Sequence, residues 1–150
     1  MSRSLVLDAS AALEAILGRP RAEAVLDQIE ASDRVRAPDL YAAEVANGLW
    51  KHVKAGDIDI DQAQTALRAA LDLVDVLVPA ADLIEEALAT ATTHSHPVYD
   101  ALYLVTARRS GATVCTLDRR LAALLDETRV SVELIWSTRR PQPTVAGGER

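Results

Sequence analysis

One cysteine in 150 residues, Cys115, has no partner for an internal disulfide, and the paired-cysteine signatures of structural zinc sites are missing. Thiolate zinc chemistry is thereby excluded, and a reducing compartment, the cytoplasm, is the expected setting. Long apolar runs are lacking too. The longest stretch without Asp, Glu, Lys or Arg is the 13 residues of 87–99, short of the roughly 18 that a membrane span needs. Asp8 and Glu14 interrupt the apolar segment an export signal would require, so none is expected. Positive charge is in deficit, 16 basic against 22 acidic residues for a net charge of −6. Bulk electrostatics will not hold such a chain to a phosphate backbone, and any nucleic-acid contact has to be local. What is present is a 49% hydrophobic composition, enough for one domain that buries roughly two thirds of its unfolded surface. That domain is expected over 1–136, with 137–150, which hold Pro141, Pro143, Gly147 and Gly148, forming a disordered tail.

The apolar pattern alternates strands with helices. Leu5-Val6-Leu7 is a short strand ending at Asp8, and the alanine-rich 11–17 is a helix. A second helix is expected over 21–31, and a brief strand around Val35 precedes Pro38. A third helix capped by Asp39 runs to about Ala55 and is stopped by Gly56. Asp61 is the expected cap of a helix reaching Leu71 or Leu73. Residues 74–78 alternate with period two and stop at Pro79, which suits a strand at a sheet edge. Further helices are expected over 82–93, 98–110 and 119–125, and further strands over 113–117 and 130–135. This alternation calls for a three-layer α/β/α sandwich around a central, mostly parallel sheet.

In such a sheet the ligand site lies beyond the carboxyl ends of the strands, so Asp8 and Asp118, each ending a strand, project toward one edge. Each can equally be a helix cap, and Ser10 competes with Asp8 for that role. Asp100 is the sharper anomaly. Among residues 98–107 only Asp100 and Thr106 are polar, so its helix is buried, and a buried carboxylate needs a cation, a set of donors or a cleft. Glu44 gives a weaker signal: it shares the polar side of its helix with Asn47 and Lys51, so periodicity reads it as a surface residue unless a cleft covers that side.

Four short motifs in register resemble the PIN-domain family, and within it the VapC-type toxins of toxin–antitoxin pairs. They are Leu5-Val6-Leu7-Asp8-Ala9-Ser10, then Ala37-Pro38 with Glu44-Val45-Ala46-Asn47, then Asp100-Ala101, and Thr116-Leu117-Asp118-Arg119-Arg120-Leu121. The resemblance spans residues 4 to about 136. It implies an acidic quartet of Asp8, Glu44, Asp100 and Asp118, with Ser10, Asn47 and Thr116 in support, and it is what promotes Glu44. It implies endoribonuclease activity leaving a 5′-phosphate and a 3′-hydroxyl, a cognate antitoxin as partner, and self-association into a homodimer. Some branches carry a further acidic residue just after the last Asp, where this chain has Arg119 and Arg120.

Four gathered carboxylates make six repulsive pairs. Each pair costs about 4 kcal/mol at 4 Å and an effective dielectric of 20, and less at larger separation. The cluster must take up protons or recruit a cation. Oxygen-only ligands select Mg²⁺ or Mn²⁺ over zinc, and such an ion supports phosphodiester hydrolysis. Arg34, Arg36, Arg119 and Arg120 are the candidate RNA-phosphate contacts; Arg108 and Arg109, which end a helix, suit its C-terminal dipole instead. Two rival readings stand beside the nuclease. A receiver-like signalling module would need a lysine near a late strand, and the only lysines, Lys51 and Lys54, lie on the third helix. A catalytically silent PIN-like interaction domain would keep the fold and cleave nothing. Tyr41 and Trp50 are candidate base-stacking residues, though Trp50 flanks an apolar face and suits the core or a dimer contact; Tyr99, Tyr103 and Cys115 read as packing residues, and the three histidines as surface or loop groups.

Overall fold

Leu5, Val6 and Leu7 are all fully buried, and a strand that buries every residue must be covered on both faces. In the computed structural model, which describes residues 2–135, this strand β1 (Ser4–Leu7) lies at the centre of a five-stranded sheet. The chain continues through α1 (Ala9–Ile16), α2 (Ala22–Glu30), β2 (Arg34–Pro38), α3 (Leu40–Ala55), α4 (Ile60–Asp72) and β3 (Val76–Val78). A 3₁₀ turn (Ala80–Asp82) then leads to α5 (Ile84–His94), α6 (Val98–Ser110), β4 (Thr113–Thr116), α7 (Arg119–Glu127) and β5 (Val132–Leu134). The strand order is β3-β2-β1-β4-β5 and every neighbouring pair is parallel. β3 is an edge strand, as its proline stop suggests.

Alternation along β1 divides the core. Leu5 and Leu7 face a cluster built by α1 to α4, while Val6 faces the cluster of α5, α6 and α7. The result is the three-layer sandwich. The chain steps outward from β1 to β2 and β3, then returns to the other side of β1 for β4 and β5. The carboxyl ends of β1 and β4 therefore flank the point where strand order reverses, the position at which open parallel sheets form a crevice.

Local chemistry explains where the elements depart from the sequence pattern. Asp59, not Asp61, caps α4: its carboxylate accepts from Gln62 N at 2.8 Å while its own N–H donates to Gln62 Oε1 at 2.9 Å, a reciprocal capping box. Asp39 does occupy the cap position of α3, but its side chain serves the neighbouring turn, accepting from Ala80 N at 3.0 Å. That bond fixes the 3₁₀ turn, and α5 starts only at Ile84. Gly56 and Gly111 end α3 and α6 at φ +80 and +61, conformations that favour glycine. Buried Glu14 accepts from both the backbone N–H and Nε of Arg21, at 3.1 and 3.3 Å, and Arg21 Nη1 donates to Ile135 O, which ties α1 to the end of the sheet. Tyr41, a candidate for base stacking, is fully buried and donates to Ala70 O at 2.6 Å, so it packs α3 against α4. Tyr99, expected to pack, is 64% exposed; Trp50, expected in the core or at a dimer contact, is 55% exposed with Lys54 Nζ 5.3 Å above its ring. Among the described residues no helix is long and apolar enough to cross a membrane. The tail expected at 137–150 lies outside the described residues.

Candidate active site

Asp8 is the first residue past β1. Its backbone N–H continues the ladder by donating to Cys115 O at 3.1 Å, which leaves the side chain at the carboxyl edge. The carboxylate is buried, and Oδ2 accepts from Ser10 Oγ and Thr116 Oγ1, both at 2.6 Å. Those hydroxyls are themselves held: Ser10 Oγ accepts from Leu117 N at 3.1 Å and Thr116 Oγ1 from Asp118 N at 2.9 Å. Ser10 thus supports Asp8 rather than replacing it at the head of α1. Asp118 caps α7, its Oδ1 accepting from Arg120 N at 2.9 Å and Leu121 N at 3.4 Å.

Asp100 sits in the first turn of α6. Its Oδ2 is buried and accepts no hydrogen bond from the described residues. Arg120 Nε comes within 3.2 Å without the alignment a hydrogen bond requires, and His96 Nδ1, also buried and unsatisfied, stands 3.8 Å away. Glu44 is half-buried on α3, and the reason is Tyr103: this tyrosine of α6, itself buried, donates its hydroxyl to Glu44 Oε1 at 2.7 Å. The surface reading of Glu44 fails because a second helix covers that side of α3. Tyr103 is the site residue the sequence did not mark. Its signal was the spacing of three residues after Asp100, one helical turn, hidden in an apolar run where any tyrosine reads as packing.

The electrostatics tie the four carboxylates together. Burial lifts the pKa of Asp8 above the usual carboxylate range; bonds from Ser10 and Thr116 oppose the lift and the charge of Asp118 adds to it. Glu44 is raised chiefly by burial, with Tyr103 pulling it down and the charges of Asp8, Asp100 and Asp118 pushing it up. Asp100 is raised by burial first; Arg120 and His96 counter that, and Asp118 reinforces it. The charge of Asp118 thus acts on Asp8, Glu44 and Asp100 alike, and Glu44 also feels Asp8 and Asp100.

Among the described residues no three His, Cys, Asp or Glu side chains stand close enough to hold an ion as they are. In donor chemistry the crevice fits a hard divalent cation: the candidate ligands are all carboxylate oxygens, burial raises the pKa of Asp8, Glu44 and Asp100, and Asp100 Oδ2 has no donor among the described residues. Asn47 is exposed on α3 three residues beyond Glu44, on the same side of the helix. Arg119 and Arg120 open α7 at the rim. Arg34 and Arg36 lie elsewhere. Arg34 pairs in register with Ser4 at the start of β1, and Arg36 donates to Ser4 Oγ at 2.6 Å, toward the amino-terminal edge of the sheet.

Fold and crevice together define a three-layer α/β/α protein with an anionic site at the carboxyl edge of its parallel sheet. The chain belongs to the PIN-domain family, whose profile matches residues 5–126. Ribonuclease VapC3 of Pyrobaculum aerophilum is 35% identical over 120 residues, covering 79% of this chain and 92% of that protein. The crystal structure of PAE2754 from Pyrobaculum aerophilum superposes with a TM-score of 0.65 at 28% identity, over 83% of this chain and 87% of that one. Mycobacterium tuberculosis VapC20, described as a Sarcin-Ricin loop cleaving toxin, shares the fold with a TM-score of 0.60 at 20% identity, over 79% and 93%. PIN-domain ribonucleases depend on a divalent metal.

Proposed function

We propose that this chain is a Mg²⁺- or Mn²⁺-dependent endoribonuclease, the toxin of a toxin–antitoxin pair, and that Asp8, Glu44, Asp100 and Asp118 carry its chemistry. The observation that supports this is the mutual electrostatic contact of four acidic side chains beyond the switch point of the sheet, one with a buried oxygen that no donor satisfies. Asp8 and Asp100 would hold the ion directly, and Glu44 and Asp118 directly or through water. A bound divalent ion supplies positive charge to a phosphate oxygen and acidifies a water.

Hydrolysis adds water to phosphorus and breaks the bond to O3′, leaving a 5′-phosphate and a 3′-hydroxyl. The attacking water loses a proton and O3′ gains one. Glu44 suits the first transfer: burial raises its pKa above the usual carboxylate range, Tyr103 fixes Oε1, and Oε2 makes no hydrogen bond with another described residue. Ser10 and Thr116 lock the rotamer of Asp8. Asn47 offers an amide to the substrate from the same side of α3, and Arg119 and Arg120 are the phosphate contacts, since Arg34 and Arg36 lie toward the opposite edge. The acidic crevice equally suits a basic side chain delivered by a cognate antitoxin, which would neutralise it while excluding RNA. A homodimer working in the cytoplasm, where its RNA lies, completes the proposal.

The test is cleavage of total RNA by the wild type and by Asp100→Asn, with Mg²⁺, with Mn²⁺ and with EDTA. Cleavage confined to the wild type with added metal is expected. Equal cleavage by both proteins, or cleavage that persists in EDTA, would refute the assignment. Absence of cleavage by a wild type that binds Mn²⁺ would favour the silent interaction domain. Co-expression with the neighbouring reading frame followed by affinity purification tests the antitoxin; a toxin that retains no companion argues against it.

A further inference from the structure

Three of the four carboxylates have hydrogen-bond donors: Asp8 has two hydroxyls, Glu44 has the Tyr103 hydroxyl, and Asp118 has two backbone N–H groups. Among the described residues the buried Oδ2 of Asp100 has none, and the nearest positive charge to it is the guanidinium of Arg120 at 3.2 Å. The two side chains differ sharply in exposure, 62% for Arg120 against 12% for Asp100, so the arginine reaches in from the solvent side and closes over the carboxylate. Its starting point is fixed by the site itself, because Asp118 Oδ1 accepts from the Arg120 backbone N–H at 2.9 Å. The first turn of α7 thus aims an exposed cation at a buried site oxygen that no described donor satisfies.

We propose that Arg120 is a tethered counter-ion that occupies Asp100 while the site is metal-free, and that it is released to bind an RNA phosphate once a divalent cation takes Asp100. The inference rests on the metal-dependent reading of the crevice and adds to it an exchange between two cations of the same carboxylate. An oxygen shared by a divalent ion and a guanidinium sets like charges against each other, so metal entry favours departure of the arginine. Once displaced, the guanidinium remains pinned at the rim through its backbone, and its planar fork matches the two free oxygens of a phosphodiester. Arg120 is a positioning residue for substrate that competes with metal at its resting place.

The measurement is Mn²⁺ affinity, read from the electron paramagnetic resonance of free Mn²⁺, for the metal-stripped wild type, Arg120→Ala and Arg120→Lys. The exposed side chain and the high helix propensity of alanine keep Arg120→Ala folded. Removing the competitor should tighten Mn²⁺ binding about three- to ten-fold, with the lysine variant nearer the wild type. At saturating Mn²⁺ the alanine variant should show a raised KM for RNA with a smaller change in kcat. Equal or weaker Mn²⁺ binding by Arg120→Ala would overturn the exchange while leaving the metal site standing. A wild type that binds no Mn²⁺ would remove the metal reading and the exchange with it.

Discussion

Replacing Asp8 with asparagine should destroy activity and make the metal-free protein more stable. The carboxylate is buried, and its charge faces that of Asp118 with no basic side chain in contact. Asparagine is isosteric, and its amide oxygen can take the place of Oδ2, keeping both the Ser10 and Thr116 hydroxyl bonds. The variant therefore sheds the desolvation cost of a buried charged group, about 1–3 kcal/mol or more. It loses part of that gain because two charge-assisted bonds become neutral ones. A net stabilisation of about 1–2 kcal/mol remains, worth a rise in Tm of roughly 2–8 °C for a chain of this length. The pH dependence has a definite sign. The folded pKa of Asp8 lies above the ordinary 3.8, so the native state holds a proton that the unfolded chain has released. The wild type therefore loses stability as pH rises above 3.8 toward the folded value, and the advantage of asparagine should vanish below about pH 4 and grow as pH rises from there. Thermal denaturation of both proteins between pH 4 and 8, in EDTA and then in excess Mn²⁺, reads both effects. The ion should stabilise the wild type, by about 2.7 kcal/mol at a hundred times its Kd, and the variant much less. A metal-free Asp8→Asn protein that melts below the wild type at pH 7 would refute the idea that this carboxylate is held under electrostatic strain.

Tyr103→Phe removes the only hydrogen bond the described residues give Glu44, and should lower stability by about 1 kcal/mol, discounted for the half-exposed acceptor, or roughly 2–4 °C in Tm. If Glu44 accepts the proton of the attacking water, the acidic limb of the rate profile should also move to higher pH, since burial and three like charges then act unopposed; an unchanged limb would separate Tyr103 from the chemistry. In α4, Asp59→Ala should cost about 1 kcal/mol while Asp61→Ala costs close to nothing, both read by chemical denaturation, with RNA cleavage unaffected because the helix end lies outside the crevice. Equal losses at the two positions would mean the capping box is not what starts the helix.

The elements that sequence could locate are those with local signals. β1, the stops at Gly56 and Gly111, the apolar α6 and the two strand-ending aspartates are all written in runs of neighbouring residues. The misreadings came where a distant partner decides. Asp39 looks like a cap for α3 and is one by position, yet its oxygen goes to Ala80, 41 residues on. Tyr99 and Tyr103 stand one turn apart in the same apolar run; one faces solvent and the other lies under Glu44, and no periodicity separates residues on a helix that is apolar on nearly every side. Glu44 fails for the same reason: a helix shows which side is polar, but not whether another helix covers it. Asp59 and Asp61 could not be separated by the capping-box spacing, because each has a glutamine three residues later, Gln62 and Gln64.

The strand order is what makes four scattered acids one site, and the hydroxyls of Ser10 and Thr116 bind that order to the chemistry. Asp8 and Asp118 are 110 residues apart in the chain and meet only because β4 returns to lie against β1, in the register Leu5–Thr113 to Leu7–Cys115. A slip by one residue would turn Thr116 to the other side of its strand and take its hydroxyl from Asp8. Thr116 donates to Asp8 and accepts from Asp118 N, while Ser10 donates to Asp8 and accepts from Leu117 N, so each hydroxyl joins the end of one central strand to the start of the helix after the other. The repulsion among the carboxylates acts to spread this same junction. The hydroxyl bridges oppose that spreading, which accounts for a small polar residue both at the end of β4 and in the first turn of α1. Both bridges end on Asp8 Oδ2, and among the described residues the deficit of donors is greatest at Asp100, where a cation has the most to neutralise.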